Sequence, residues 1–215
     1  MASTFQLPMF PLGLVTYPTV GLNLHIYEER YRQLIADVQE QDLTFGIATV
    51  LEDGQMQSVG TEMSLASIEK TYEDGRLDIK TLGMRRFRVL DMKTVTPGKL
   101  YGAATVEFLQ TDYDGDAELY NVILEQIQLI FDIFQIEKTL PANDATLNTF
   151  KLVSTAALNV DQEVELIKID NEVERQLYII EHLNIFIPKA QEMEEMRKKV
   201  QMNGHFRNLI PPDLT

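Results

Sequence analysis

The apolar residues of this chain mostly alternate before an acidic turn, Asp112-Tyr113-Asp114-Gly115-Asp116, with one early helical stretch, and keep a helical period after it. Before the turn, short stretches alternate apolar with polar residues, as a strand with one buried face requires. Leu77 and Ile79 alternate with Arg76, Asp78 and Lys80, and Phe87 and Val89 with Arg86 and Arg88. Ala104, Val106 and Phe108 alternate with Thr105 and Glu107. Residues 43–51 are apolar at both parities, which suits a central strand covered on two sides. Residues 58–72 read as one long strand or two joined ones. Met63 and Leu65 share a face and Ile68 falls on the other, so a bulge or bend is expected between them. Asp53-Gly54, Glu73-Asp74-Gly75-Arg76 and Pro97-Gly98 are turn signals, and Gly83 marks a further turn or bulge. Short strands with this punctuation predict a compact β domain, a partly closed barrel.

After the turn the period becomes helical. Val122, Ile123, Ile127, Ile130, Phe131 and Phe134 fall at helical spacing within residues 119–134. A loop over 141–144 precedes a helix expected over 145–158. Asn159-x-x-Gln162 has the spacing of a capping box, and Asn171-x-x-Glu174 repeats it before a helix with Val173, Leu177, Ile180, Leu183 and Ile187 on one stripe. Pro188 suits a new helix start or a kink, Met193, Met196 and Val200 continue the spacing, and Gly204 suits a C-terminal cap. The fold class is therefore α+β, with a mostly β subdomain carrying one early helix over 1–115 and an α-helical bundle over 116–215.

Residues 9–32, MFPLGLVTYPTVGLNLHIYEERYR, join these themes within the β half. Phe10-Pro11-Leu12 opens an apolar strand, and Tyr17-Pro18 confines the backbone to extended or turn geometry. Leu22, Leu24 and Ile26 share one strand face, with Asn23 and His25 on the other. From Tyr27 the period turns helical through Tyr31, Leu34, Ile35 and Val38. Core packing is the plain role of the apolar members. His25, Glu28 and Arg30 are expected to hold the strand–helix junction by hydrogen bonds.

Charge and composition narrow the chemistry. Nineteen Lys and Arg against 33 Asp and Glu leave a formal net charge of −14, which opposes nucleic acid and anionic membrane surfaces. There is no cysteine, so thiol catalysis, disulfides and cysteine-ligated zinc are excluded. The N-terminus lacks a signal-peptide pattern, and no apolar run approaches the roughly 20 residues of a membrane helix, so a cytoplasmic protein is expected. No G-x-x-x-x-G-K-[ST] phosphate loop occurs. Ser64, Ser67 and Lys70 read as ordinary strand residues. His25-x-x-Glu28 spans a strand-to-helix change, which makes ligand geometry accidental, and His182 and His205 read as solvated helix residues. Asp112, Asp114 and Asp116 resemble part of a calcium loop without its remaining ligands, and read as a solvated turn. Arg85, Arg86 and Arg88 form the one tight basic cluster, either a docking patch for acidic peptide segments or cross-strand partners of the surplus carboxylates. Met193, Met196 and Met202 either offer an adaptable apolar surface or, more simply, pack on the preceding helices.

The stretch FPL…YP…LHIYEERY resembles the opening of the Lon protease N-terminal domain, the LON substrate-binding domain. Residues 42–47, Val59-Gly60-Thr61 and Asp74-Gly75-Arg76 extend the resemblance. Gly83-Met84-Arg85-Arg86-Phe87-Arg88-Val89 is similar to the family's G-x-x-R-F-x-V strand, Tyr101 follows where an aromatic is usual, and residues 169–177 resemble the start of its long helix. The similarity runs from about Phe10 to Val200. It implies a PUA-like β pseudo-barrel followed by a helical bundle, in a module that contacts unfolded or damaged polypeptides and helps to assemble the protease. The sequence runs to Thr215, where Lon would continue into ATPase and protease domains, so no counterpart of the Ser–Lys dyad is expected. The expectation is a non-catalytic module binding unfolded polypeptides or one partner protein. The alternatives are an assembly module working with a Lon-type protease or associating with itself, and a hydrolase without a recognised motif. No cofactor, metal, nucleic acid or membrane partner is expected. The candidate polypeptide-contact positions are Pro11, Leu12, Tyr17, Pro18, His25, Glu28, Arg30, Tyr31, Arg85, Arg86 and Arg88.

Overall fold

The computed structural model describes residues 3–93 and 95–206, with side chains through Gln201. The side chains of Met202 and His205 lie outside the described residues. Strands β1 (Thr4–Pro8), β2 (Gly21–Ile26), β3 (Phe45–Val50), β4 (Met56–Thr71), β5 (Leu77–Lys93) and β6 (Ala103–Phe108) form one antiparallel sheet in the order β1-β6-β5-β4-β3, with β2 paired to β5. Beyond Pro8 the chain runs parallel to β3, where Met9 bridges Gly46 and Leu12 bridges Thr49. The Phe10 N–H donates to the Gly46 carbonyl and the Val50 N–H to the Leu12 carbonyl, both at 2.8 Å. These bonds join the two ends of the strand path, and the sheet closes into the expected pseudo-barrel. Strand β1 itself carries no strong sequence signal and is an addition to the reading.

The turns follow their chemistry. Gly54 and Gly75 both sit at φ 82, the left-handed geometry that closes the β3–β4 and β4–β5 hairpins. Strand β4 has register shifts between Leu65 and Ser67 and between Ile68 and Lys70, in the region where the alternation breaks. Strand β5 pairs with β4 from Leu77 to Arg88, while its other edge meets β2 first and β6 after Gly83. At that changeover the Gly83 N–H donates to the Val20 carbonyl at 3.0 Å, and its own carbonyl accepts from Thr19 at 2.8 Å. A Cβ on Gly83 would fall 1.9 Å from the Tyr17 carbonyl oxygen. Backbone would have to move, so Gly83→Ala is expected to cost about 1–3 kcal/mol in urea unfolding. An unchanged midpoint would mean that the 17–20 segment shifts freely.

Helix α1 (Glu29–Gln41) lays Tyr31, Leu34, Ile35 and Val38 on the sheet, where they meet Phe10, Ile26, Phe45, Ile47, Met63, Ile79 and Tyr101 in one core. Tyr27 is 64 % exposed and lies ahead of the helix, so the helical stripe begins at Tyr31. A second core cluster holds Leu7, Met9, Ala48, Phe87, Ala104 and Val106. Gly60 makes it possible, because a Cβ there would fall 2.7 Å from the Phe87 ring and 2.4 Å from the Ile47 carbonyl oxygen.

The helical half is not one block. Compactness groups residues up to Asp114 with Asn148–Arg175 as a first unit, and Gly115–Leu147 with the chain from Gln176 onward as a second. This differs from a single cut after residue 115. In the first unit, the helix expected over 145–158 is short: α3 (Thr149–Leu152) passes into a 3-10 turn, Val153–Thr155, because Asp144 first turns the chain by accepting from the Thr146 N–H at 2.8 Å. Helix α4 (Val160–Lys168) carries the complete Asn159/Gln162 capping box.

In the second unit, α2 (Ala117–Phe134) buries Tyr120, Ile123, Ile127, Ile130 and Phe131, with Val122 and Phe134 exposed. Asp116 caps it, accepting from the Glu118 and Leu119 N–H groups at 2.7 and 3.1 Å. Helix α5 (Glu172–Phe206) begins in the first unit and continues through Pro188 and Gly204 without a break. Its buried line in the second unit is Gln176, Ile179, Leu183, Ala190 and Glu194, while Leu177 is 50 % exposed. Met193, Met196 and Val200 are 68, 66 and 66 % exposed, so they do not pack on the preceding helices.

Candidate functional site

Strand β5 carries one residue more than β4 at a single place. Thr61 pairs with Arg86 and Met63 with Gly83, so Met84 and Arg85 together face Glu62. A bulge of this kind turns two consecutive side chains to the same side, and both Met84 and Arg85 are exposed. Arg85 binds Glu62 through Nε at 2.7 Å and Nη2 at 3.1 Å, and its guanidinium lies 3.7 Å from the Phe108 ring centroid. The Glu62 carboxylate, itself buried, holds the Arg85 pKa above the ordinary arginine value. Met84, Arg85, Phe108, Leu109 and Tyr113 line a shallow hollow of about 310 Å³ with Gln110 and Thr111. Phe5, 46 % exposed, extends this apolar surface through a ring contact of 4.9 Å with Phe108.

The far wall of the hollow is pinned from behind. Arg86, expected in a surface patch with Arg85 and Arg88, is instead fully buried. Its strand parity points it to a face that the 148–175 segment covers. It donates from Nε to Thr111 Oγ1 at 2.9 Å, from Nη1 to the Ile167 and Ile169 carbonyls at 2.8 and 3.1 Å, and from Nη2 to the Gln110 carbonyl and to Asp170 Oδ1 at 2.6 Å. Burial draws its pKa below the ordinary arginine value, with Asp170 acting against that pull. Arg175 does the same one layer further in. It donates to Glu172 and to the Ile169, Asp170 and Asp112 carbonyls, and lies over the Phe150 ring at 4.5 Å. Two buried guanidinium groups thus fix residues 110–113 and place Tyr113 at the rim.

The other motif positions are structural in their contacts. Pro11 and Leu12 lie on the parallel seam with β3. Tyr17 is buried, stacks on Phe150 at 5.2 Å and donates its hydroxyl to the Glu163 carbonyl at 3.4 Å; Pro18 is buried beside Gly83. His25 contacts Asp78 at 2.6 Å on the wet face. Glu28 precedes α1 in extended geometry and accepts from Arg30 Nε at 2.9 Å, and Arg30 lies 4.5 Å from the Tyr31 ring. Tyr31 stacks on Phe10 at 3.8 Å. Arg88 faces Glu107 across β6 at 3.8 Å. Of the expected contact residues only Arg85 lines the hollow. Met84, Phe108, Tyr113 and Phe5, which form its apolar surface, were not among the expected positions; for Met84 the available signal is Gly83, where a bulge turns Met84 and Arg85 to one side.

Among the described residues no three His, Asp or Glu side chains converge as metal ligands, and no helix is long and apolar enough to cross a membrane. The fold is a closed antiparallel pseudo-barrel whose surface offers a shallow apolar hollow. The family described as the ATP-dependent protease La (LON) substrate-binding domain matches residues 6–199, and this chain belongs to it. The fold is shared with a Lon N-terminal domain protein from Xanthomonas campestris, at 22 % identity and a TM-score of 0.65 over 82 % of this chain and 97 % of the other. It is also shared with the N-terminal domain of the Mycobacterium avium complex Lon protease, at 16 % identity and a TM-score of 0.62 over 84 % and 98 %.

Proposed function

We propose that this chain is a non-catalytic module that binds unfolded polypeptide segments, and that the hollow around Phe108 is one place where it does so. The observation that carries this reading is the apolar surface of Phe5, Met84, Phe108 and Tyr113, presented by a bulge and a pinned loop. Contact of this kind accepts many sequences, since thioether and aromatic surfaces adapt to whatever apolar side chain arrives. Reduced, carboxymethylated α-lactalbumin is the test ligand, with native α-lactalbumin as control. Met84→Glu, at an exposed position, is expected to raise the Kd for the unfolded form about tenfold with the circular dichroism spectrum unchanged. Unaltered affinity would remove the hollow from the reading.

A second reading, self-association or assembly with a Lon-type ATP-dependent protease, draws on the exposed Met193, Met196 and Val200, which repeat at the three-and-four spacing of a helix-pairing seam. Light scattering separates the two: a monomer across the micromolar range leaves self-association without support.

A further inference from the structure

We propose that a second groove, between the β3–β4 hairpin and the start of α4 in the first unit, takes an extended polypeptide segment in which Lys or Arg neighbours an aliphatic residue. This rests on the polypeptide-binding reading above and assigns a charge class to part of the ligand. The groove measures about 710 Å³ and is lined by Gly13, Val50, Leu51, Glu52, Asp53, Asn159, Val160 and Asp161. Its size is that of a ligand cleft. The floor is apolar: Val50 and Leu51 are half-buried, and Val160 is 41 % exposed. The frame is rigid, because the Leu51 N–H donates to the Gln55 carbonyl at 3.0 Å, Asp53 accepts from the Gln55 N–H at 2.8 Å, and the Asn159/Gln162 box holds the start of α4.

The rim carries one sign of charge. Glu52, Asp53 and Asp161 are exposed, and no lysine, arginine or histidine lines the groove. Several other acids of this unit are paired: Glu62 with Arg85, Glu107 with Arg88, Asp37 with Lys99 and Glu69 with Lys80. None of the three rim carboxylates has such a partner among the described residues. An anionic segment is disfavoured by this rim, where Asp161, with Glu163, already answers the positive end of α4. An aliphatic side chain on the floor with an ammonium or guanidinium at the rim satisfies both surfaces.

The test uses three fluorescein-labelled peptides of about twelve residues, alternating Leu with Lys, Glu or Ser, titrated by anisotropy at about 50 and about 300 mM NaCl. The Leu/Lys peptide is expected to bind most tightly and to weaken at the higher salt. Glu52→Lys, at an exposed turn position, is expected to weaken it roughly fivefold while leaving the Leu/Ser peptide unchanged. Equal affinity for the Leu/Lys and Leu/Glu peptides, or a Leu/Lys affinity untouched by Glu52→Lys, overturns the groove. If binding survives Glu52→Lys but falls with Met84→Glu, the groove fails and the polypeptide-binding reading stands. If none of the three peptides binds, both fail together.

Discussion

Arg86→Met is expected to lower the unfolding free energy by about 3–5 kcal/mol, the largest loss for any single side chain of the pseudo-barrel. Methionine keeps most of the apolar stem, so the loss falls on the head group. The Gln110 and Ile167 carbonyls and the Thr111 hydroxyl lose this donor together, while the Ile169 carbonyl keeps Arg175 Nη1 at 2.8 Å. Each buried acceptor left without a partner costs about 1–3 kcal/mol, and water enters only by opening the 148–175 segment. Asp170, 72 % exposed, contributes little to the loss because solvent takes the place of its partner. Urea unfolding with an unchanged slope is the measurement. Arg86→Lys should fall between, since an ammonium has three donors and cannot serve every acceptor. A stability within about 0.5 kcal/mol of the parent would show that the network does not hold the two segments together.

Glu172→Ala is expected to cost a similar amount, about 3–5 kcal/mol, for a different reason. Both members of the Glu172–Arg175 pair are 0 % exposed. The carboxylate also accepts from the Thr149 N–H and, at 2.7 Å, from the Thr149 hydroxyl. Removing it strands a buried guanidinium and unties α3 from the start of α5. The double variant Glu172→Ala/Arg175→Met should recover a good part of the loss, because no uncompensated charge remains. Thermal and urea unfolding of the two single variants and the double one close the cycle. Additive losses would deny that the pair acts as one unit.

These two arginines also mark where sequence reasoning reached and where it stopped. Local signals held up: Asp74-Gly75 turns its hairpin, Asn159 and Gln162 cap α4, and β2 alternates as its leucines require. Each depends on neighbours within a few residues. Arg86 follows the same alternation and reads as the wet face of β5. Its acceptors lie 81 and 83 residues away, and nothing local announces them. The compact grouping of 148–175 with the sheet is hidden from local signals for the same reason, since it is written in those long-range bonds. The stripe of α5 was displaced because its buried line includes Glu172, Arg175 and Gln176, which a search for apolar periodicity passes over. The hollow was hidden by one inserted residue: alternation carried past Gly83 gives Met84 and Arg85 opposite faces, and the bulge gives them the same one.

The discontinuity of the first unit bears on how the chain matures as it leaves the ribosome. Strand β1 can pair only after Glu107 has been made, because Thr4 is opposite that residue. Arg86 waits longer, through synthesis of the whole of α2, before the Ile167 and Ile169 carbonyls emerge. Until then Arg86 has only the Gln110 carbonyl and the Thr111 hydroxyl to bond, so its network is completed last. Completion of the N-terminal half is thereby timed by the C-terminal half, and a chain cut short before Asp170 leaves the tunnel with its main internal anchor unattached.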